Sequence, residues 1–347
     1  MKVIKISTQN WSEGIAKLRN EYRLYAPVKK GTGSQIKELK PEENPDLSLK
    51  LSRFSPKSVV FPQSQIMFTY SLDENDKDYN LLKEVKVDST PRVVIGLKPC
   101  DASSFGIVKR NYDNPDYQDS YWMDSYNSLT LVGCACDEPA ATCFCLSVGG
   151  GPYNETGLDL LLITVEDGYL VKVITDKGKN LVKIAGWTEE TDFDQFENRQ
   201  KAAEEKITSE IQTDRLKELE VNDLFNAPIW EEMAFSCLNC GTCTYSCPTC
   251  WCFDIQDETR GKSGIRMRNW DSCMYPLFTL EGSGHNPRTE KLQRVRQRFM
   301  HKLKYYADKY DSGIQCVGCG RCINLCPVNI DIRVVCEKMN DYQTVNQ

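Results

Sequence analysis

Two cysteine ladders near the C-terminal end constrain this chain more than any other feature. The first reads Cys237-Leu-Asn-Cys240-Gly-Thr-Cys243-Thr-Tyr-Ser-Cys247-Pro248, the second Cys316-Val-Gly-Cys319-Gly-Arg-Cys322-Ile-Asn-Leu-Cys326-Pro327. Both follow C-x2-C-x2-C-x3-C-P, the spacing that holds [4Fe–4S] clusters. Thiols at i, i+3 and i+6 wrap a short loop around one cubane and leave one iron open. The proline after the fourth cysteine costs little, because that position needs no N–H. Where two such runs share a chain, the fourth cysteine of each ligates the other cluster. The expected ligand sets are therefore crossed: Cys237, Cys240, Cys243 and Cys326 for one cluster, Cys316, Cys319, Cys322 and Cys247 for the other. Gly241, Gly318 and Gly320 suit such a wrap, since glycine takes positive φ without strain.

Structural zinc is the rival reading. Zinc sites use pairs of C-x2-C separated by a dozen or more residues. A third cysteine in the run, and a fourth followed by proline, are superfluous for that purpose.

At 347 residues the chain is long enough for two or three domains. A net charge of −6 with 27% charged residues gives no general case for a nucleic-acid partner. The N-terminus lacks an apolar signal region, and no run of 18 apolar residues is available to span a membrane. Seventeen cysteines without an export signal point to thiols kept reduced for metal binding in the cytoplasm, in a setting that suits an anaerobe.

Along the chain, residues 1–60 offer an amphipathic segment near Trp11–Tyr25, a turn at Lys29–Gly33 and a proline-punctuated stretch, with no chemistry of their own. Arg92–Leu97 is an apolar run that predicts a buried strand. Asp101 is the expected N-cap of a helix over Ala102–Arg110, and Leu129–Gly133 is a second buried strand. Asp159–Val165 and Tyr169–Thr175 flank Asp167-Gly168, a hairpin signal. Strand–helix–strand predicts a right-handed crossover between parallel strands, hence an α/β domain.

Cys100, and Cys134 or Cys136, then lie past the carboxyl ends of parallel strands, where such folds place ligands. Cys143-Phe-Cys145 follows closely. These cysteines read either as a third [4Fe–4S] cluster or as small buried hydrophobes, and spacing alone does not choose. Phe196–Val221 predicts a charged linker helix with a solvated face.

The insert between the ladders holds Cys250, Cys252 and Cys273. It ends in a helix whose apolar face is Leu292, Val295, Phe299, Leu303, Tyr306 and Tyr310. The other face is basic: Arg288, Lys291, Arg294, Arg296, Arg298, Lys302, Lys304 and Lys309. Those charges either raise the potential of an anionic cluster, receive an acidic partner, or simply face water. Cys250, Cys252, Cys273 and Cys336 are read as packing rather than as ligands of another metal.

Other motifs fail. Gly261-Lys262-Ser263 lacks the earlier glycine of a phosphate loop, and Gly149-Gly150-Gly151 lacks dinucleotide spacing. Two histidines, His285 and His301, supply haem poorly. No acid/base or nucleophile constellation is evident. Clusters without a flavin or nucleotide motif imply a non-catalytic wire.

Several segments together resemble one family: Gly96-Leu-Lys-Pro-Cys100-Asp101, Cys136-x6-Cys143-Phe-Cys145, Cys247-Pro-Thr-Cys-Trp-Cys-Phe-Asp254, Arg268-Asn-Trp-Asp-Ser-Cys273, Gly284-His-Asn-Pro-Arg288 and Val328-Asn-Ile-Asp-Ile332. The family is that of 4Fe–4S dicluster electron-transfer subunits. It includes the dicluster subunit of anaerobic sulfite reductase and the beta subunit of cytoplasmic [NiFe] sulfhydrogenases, with related subunits in heterodisulfide-reductase-linked flavin oxidoreductases. The likeness covers most of the chain from about residue 55 and is dense after residue 237. It implies a ferredoxin-reductase-like partner binding FAD and NAD(P)H, and a second partner that is catalytic or a further electron carrier. It also favours Cys100, Cys136, Cys143 and Cys145 as the third ligand set, with Cys134 as an extra. The expected architecture is an α/β (α+β) N-terminal domain over 1–190, a charged helical linker over 191–225, and a mainly α-helical, ferredoxin-like dicluster domain over 226–347.

Overall fold

The computed structural model describes residues 2–31, 33–48, 51–310 and 312–343. Its first layer is an eight-stranded sheet of β1 (Lys2–Ser7), β2 (Arg23–Lys30), β3 (Gly33–Glu38), β6 (Arg92–Leu97), β7 (Leu129–Cys134), β8 (Leu160–Val165), β9 (Gly168–Val173) and β10 (Glu190–Asp192). The spatial order is β10-β1-β9-β8-β7-β6-β2-β3, and β4 (Ser64–Ser71) and β5 (Lys83–Glu84) belong elsewhere. The four central strands β8, β7, β6 and β2 run parallel, and the flanking pairs are antiparallel.

Central strands with both faces covered read as continuous apolar runs, and β6 and β7 do. On one face α1 (Thr8–Leu18) and α4 (Asp176–Ala185) bury Trp11, Ile15, Leu181 and Val182 against Val93, Ile95 and Val132. On the other, α2 (Pro99–Tyr112) and α3 (Ser120–Asn127) bury Phe105, Val108 and Trp122 against Val94 and Leu131. The expected α/β half is present, with small shifts. The first helix starts and ends earlier than Trp11–Tyr25. The helix α2 begins at Pro99, so Asp101 lies in its first turn and is not its N-cap. The turn between β2 and β3 falls at the expected Lys29–Gly33, of which Thr32 lies outside the described residues.

The charged segment after β10 is not one helix. It forms α5 (Phe196–Glu204), an irregular stretch, then the short helices α6 (Arg215–Glu218) and α7 (Val221–Phe225). One side of α5 is anchored, with Ala203 in the core and Arg199 bridging to Asp137 at 2.6 Å.

The C-terminal half gathers α8 (Ile229–Phe235), α9 (Thr242–Tyr245), α10 (Lys291–Met300), a π-helical turn (His301–Tyr305), α11 (Tyr306–Tyr310), α12 (Arg321–Asn324) and α13 (Ile332–Asp341). Trp230, Val295, Phe299, Leu303, Val335 and Met339 form its core. Mainly helical is too simple a description, however. The insert folds as a hairpin of β11 (Phe253–Arg260) and β12 (Ser263–Trp270), and β12 pairs with β4 to make a second sheet, β11-β12-β4-β5. Gly261-Lys262, the failed phosphate motif, is the turn of this hairpin, with Gly261 at φ +61. The second sheet and the 3-10 turn Pro56–Val59 thus tie the two halves together. No helix among the described residues is long and apolar enough to cross a membrane.

Candidate metal centres

The two ladders fold alike because their backbones must reverse within three residues. Asn239 and Gly241 in the first, and Gly318 and Gly320 in the second, all have positive φ. Asparagine is one of the few other residues that tolerates this region. The reversal turns backbone N–H groups onto sulfur: Asn239 N–H donates to Cys237 Sγ and Gly318 N–H to Cys316 Sγ, both at 3.4 Å. Ile330 N–H likewise donates to Cys326 Sγ at 3.2 Å.

The cysteines converge on three cavities. One is lined by Cys237, Cys240, Cys243 and Cys326, together with Cys322 and Arg298. A second is lined by Cys247, Cys316, Cys319 and Cys322, together with Lys302. The fourth cysteine of each ladder therefore sits with the first three of the other. The third cavity, of about 340 Å³, lies at the carboxyl ends of β6, β7 and β8. It is lined by Cys100, Cys134, Cys136, Cys143 and Cys145, and also by Cys319. Cys319 thus borders the third and second cavities, and Cys322 the second and first, so the three stand in a row.

The N-terminal cavity is pressed directly against the second ladder. Phe144 N–H donates to Gly318 O at 2.9 Å. A Cβ on Gly318 would meet Cys145 backbone at 2.5 Å, and one on Gly320 would meet Thr142 Oγ1 at 2.3 Å. Only glycine allows this approach. A bidentate ion pair between Arg321 and Asp101 closes the same interface.

Burial pushes most of these thiols up: Cys136 and Cys319 to about 11, Cys145 and Cys316 to about 12. Cys247 is the exception. The Cys250 thiol and, after it, the Lys302 ammonium hold it well below the ordinary value.

The electrostatics fit an anionic group. Buried charges are normally paired, and Lys304 and Arg321 are, with Asp308 and Asp101. Lys57, Arg298 and Lys302 are also buried, and among the described residues none has a carboxylate in ion-pair reach. The Nε of Arg298 has no hydrogen-bond partner at all. What surrounds these cations is sulfur: Cys243 and Cys322 for Arg298, and Cys247, Cys250 and Cys316 for Lys302. Cubanes held by four thiolates are negatively charged and would supply the missing counter-charge.

Of the eight basic residues expected on one helix face, Arg294, Arg298, Lys302 and Lys304 are buried, so that face is not a solvated landing strip. Lys57 was invisible to sequence reading. It comes from the proline-rich entry segment and donates to Thr244 O and Cys250 O at 3.1 and 2.9 Å. The cysteines outside the ladders differ among themselves. Cys336 is packed in the C-terminal core, whereas Cys250 contacts Cys247 and Cys252 contacts Cys273. Among the described residues, no three His, Cys, Asp or Glu side chains close on a single-ion site.

These ladders and their shared cavities define an iron–sulfur protein, and comparisons with known proteins agree. A family model described as a 4Fe-4S dicluster domain matches residues 236–330. The chain belongs to the family of 4Fe–4S electron-transfer subunits. It is 31% identical over 340 residues to sulfhydrogenase 2 subunit beta of Pyrococcus furiosus, covering 95% of this chain and 96% of that one. No solved structure gives a significant match.

Proposed function

We propose that this chain is a three-station electron wire within a cytoplasmic multi-subunit oxidoreductase of the hydrogenase type. The observation that carries the reading is the exchange of fourth cysteines between the two ladder cavities. Cys237, Cys240, Cys243 and Cys326 would hold one [4Fe–4S] cluster, and Cys316, Cys319, Cys322 and Cys247 a second. Cys100, Cys136, Cys143 and Cys145 would hold a third. Cys136 is preferred to Cys134 because Cys134 is the last residue of the buried strand β7, whereas Cys136 lies in the loop beyond it. Cys136 also lies in the electrostatic neighbourhood of Cys143 and Cys145.

When bound, such clusters take up and release single electrons without bonds being made in the protein. The chain's own residues supply thiolates, N–H···S bonds from residues 239, 318 and 330, buried cations, and exclusion of water around the interior site. Cys240 is the exposed cysteine of the ladders, and it marks one end of the row. The N-terminal cavity marks the other.

The relative's name, that of a sulfhydrogenase subunit, supports a complex of several subunits; the family resemblance adds one partner carrying FAD and NAD(P)H and another carrying the catalytic centre. Residues 1–190, 191–225 and 226–347 serve as cluster-bearing α/β unit, linker and dicluster unit. Iron and acid-labile sulfide in anaerobically purified protein test the reading. About twelve irons per chain, four per cubane, support it. Two zincs and no sulfide would end it. Identification of the copurifying subunits then tests the flavin and catalytic partners.

A further inference from the structure

The wire reading treats its stations alike, and the buried cations do not. Arg298 and Lys302 lie four residues apart on one helical segment, yet they line different cavities: Arg298 that of the first ladder, Lys302 that of the second. Between them the chain enters the π-helical turn His301–Tyr305, in which Lys302, Leu303 and Lys304 are all buried. Such turns interrupt helices frequently at functional sites. An unbroken α-helix places consecutive residues about 100° apart and rarely buries three in a row at a one-sided interface.

Lys302 spends all three of its donors inside the protein. Its Nζ donates to Cys247 Sγ at 3.3 Å, to Thr249 Oγ1 at 2.8 Å and to Gln315 O at 2.7 Å. It therefore spans from the cysteine that crosses over from the first ladder to the residue preceding Cys316. Among the described residues, neither of the other cavities has a buried cation that donates to a cysteine sulfur. Arg298 faces its cavity as a charge, beside the exposed Cys240. The N-terminal cavity is lined by Lys98, which is only partly buried, and the buried Arg321 next to Cys322 is neutralised by Asp101.

Resting on the wire reading, we propose that Lys302 makes the middle station, that of Cys247, Cys316, Cys319 and Cys322, the easiest of the three to reduce. A reduced cubane carries one more negative charge than its oxidised form. A fixed ammonium bonded to one of its sulfurs, in a buried and weakly screened place, favours the reduced form. Electrons arriving from either end of the row settle in the middle before moving on.

The competing role is mechanical: Lys302 could simply fasten Thr249 to Gln315. That role affects iron content and stability but leaves the potential of a retained cluster where it was. The experiment is a redox titration of the full chain followed by electron paramagnetic resonance, for wild type, Lys302→Met, Lys302→Gln, Lys302→Arg and the buried control Lys304→Met. Two neutral variants are included so that a cluster lost in one is still read in the other. The middle cluster is identified by the change in its signal in Cys247→Ser. In the Met or Gln variant, the one-electron reduction constant of that cluster falls at least tenfold, or 59 mV for a single electron. Arg restores most of the loss, and Lys304→Met changes nothing. Unshifted potentials at full iron overturn the proposal, as does an equal shift in Lys304→Met. Clearly fewer than about twelve irons in the wild type would instead sink the three-station reading itself.

Discussion

The guanidinium of Arg321 grips both carboxylate oxygens of Asp101, at 2.6 and 2.7 Å, and both side chains are 2% exposed. Arg321 lies between Cys319 and Cys322 of the second ladder, and Asp101 follows Cys100 of the N-terminal cavity. One ion pair therefore joins the segment that walls the second-ladder cavity to the segment that walls the N-terminal cavity. Ser52 completes it, its carbonyl accepting from Arg321 Nε at 2.8 Å. The Asp101 carboxylate holds the Arg321 pKa above its ordinary value, although burial alone would lower it.

Removing one partner of a buried pair leaves the other charge uncompensated, at a cost of about 3–5 kcal/mol. Asp101→Ala is accordingly expected to destabilise the protein by that amount in denaturant unfolding. Replacing Asp101 and Arg321 together with apolar residues should recover a large part of the loss. A single variant as stable as the wild type would mean that water reaches Arg321.

Gly318→Ala tests the contact itself. At φ +64, with Cys145 backbone 2.5 Å from the added carbon, alanine forces the Cys143–Cys145 loop away from the second ladder. The expected outcome is loss of about four irons per chain, one cubane. Gly106→Ala, where nothing lies within 4 Å of the added carbon, serves as the neutral comparison.

Serine substitutions separate ligands from packing. Cys143→Ser combined with Cys145→Ser should remove about four irons, and Cys326→Ser should disturb the cluster of the first ladder rather than that of its own. Cys336→Ser should leave iron unchanged. Cys336 is fully buried among Val335, Met339 and Leu216, and its sulfur bonds Gln212 O at 3.4 Å. Elemental analysis with the same preparations checks all three.

The ladders were legible because their ligands are local: four cysteines within eleven residues carry their geometry in their spacing. The parallel strands β6 and β7 were legible as uninterrupted apolar runs, and with them the place of Cys100 and Cys136. The hairpin β11–β12 was not. Seven of the eight residues Phe253–Arg260 are exposed, and after Phe253-Asp-Ile-Gln256 the run is wholly polar, so the alternation is too short to mark the strand. Nor were the buried cations legible. A lysine or arginine in a helix reads as solvated, and the sulfur that Lys302 and Arg298 face comes from other segments, Cys243 and Cys247 of the first ladder among them. Lys57 belongs to a stretch that offered no periodicity at all.

His301 makes a pH prediction of known sign. Burial, with Lys302, Arg288 and Lys309 adding repulsion, pushes its pKa down from 6.5 to about 4. The folded protein thus keeps it neutral where the unfolded chain takes up a proton. Its contribution is fully present above pH 6.5 and is lost as pH falls toward 4. The slope is at most about 1.4 kcal/mol per pH unit. His301→Gln should flatten the fall in stability between pH 6.5 and 5, measured by denaturant unfolding of the loaded protein. An unchanged slope would place the titration elsewhere.

Cluster removal should unfold the two halves unequally. A group that binds only the folded state stabilises it, and its loss withdraws that stabilisation. In the C-terminal half the loss does more than this. It leaves Arg298 and Lys302 buried without a counter-charge, and the energy of a buried unpaired cation is relieved only by admitting water or by opening. In the N-terminal half Lys57 is left in the same state, but two apolar cores flank the sheet independently of any thiol, and Asp101 keeps its ion pair with Arg321 of the second ladder. Chelation under reducing, air-free conditions, followed by limited proteolysis, is therefore expected to cut first between residues 226 and 343. The strands β6 to β9 should stay protected in hydrogen exchange. The double variant Arg298→Met, Lys302→Met should narrow this difference, because its apo form has no stranded charge to expel. Equal protection of both halves after chelation would mean that packing by Val295, Phe299 and Leu303 suffices without the clusters.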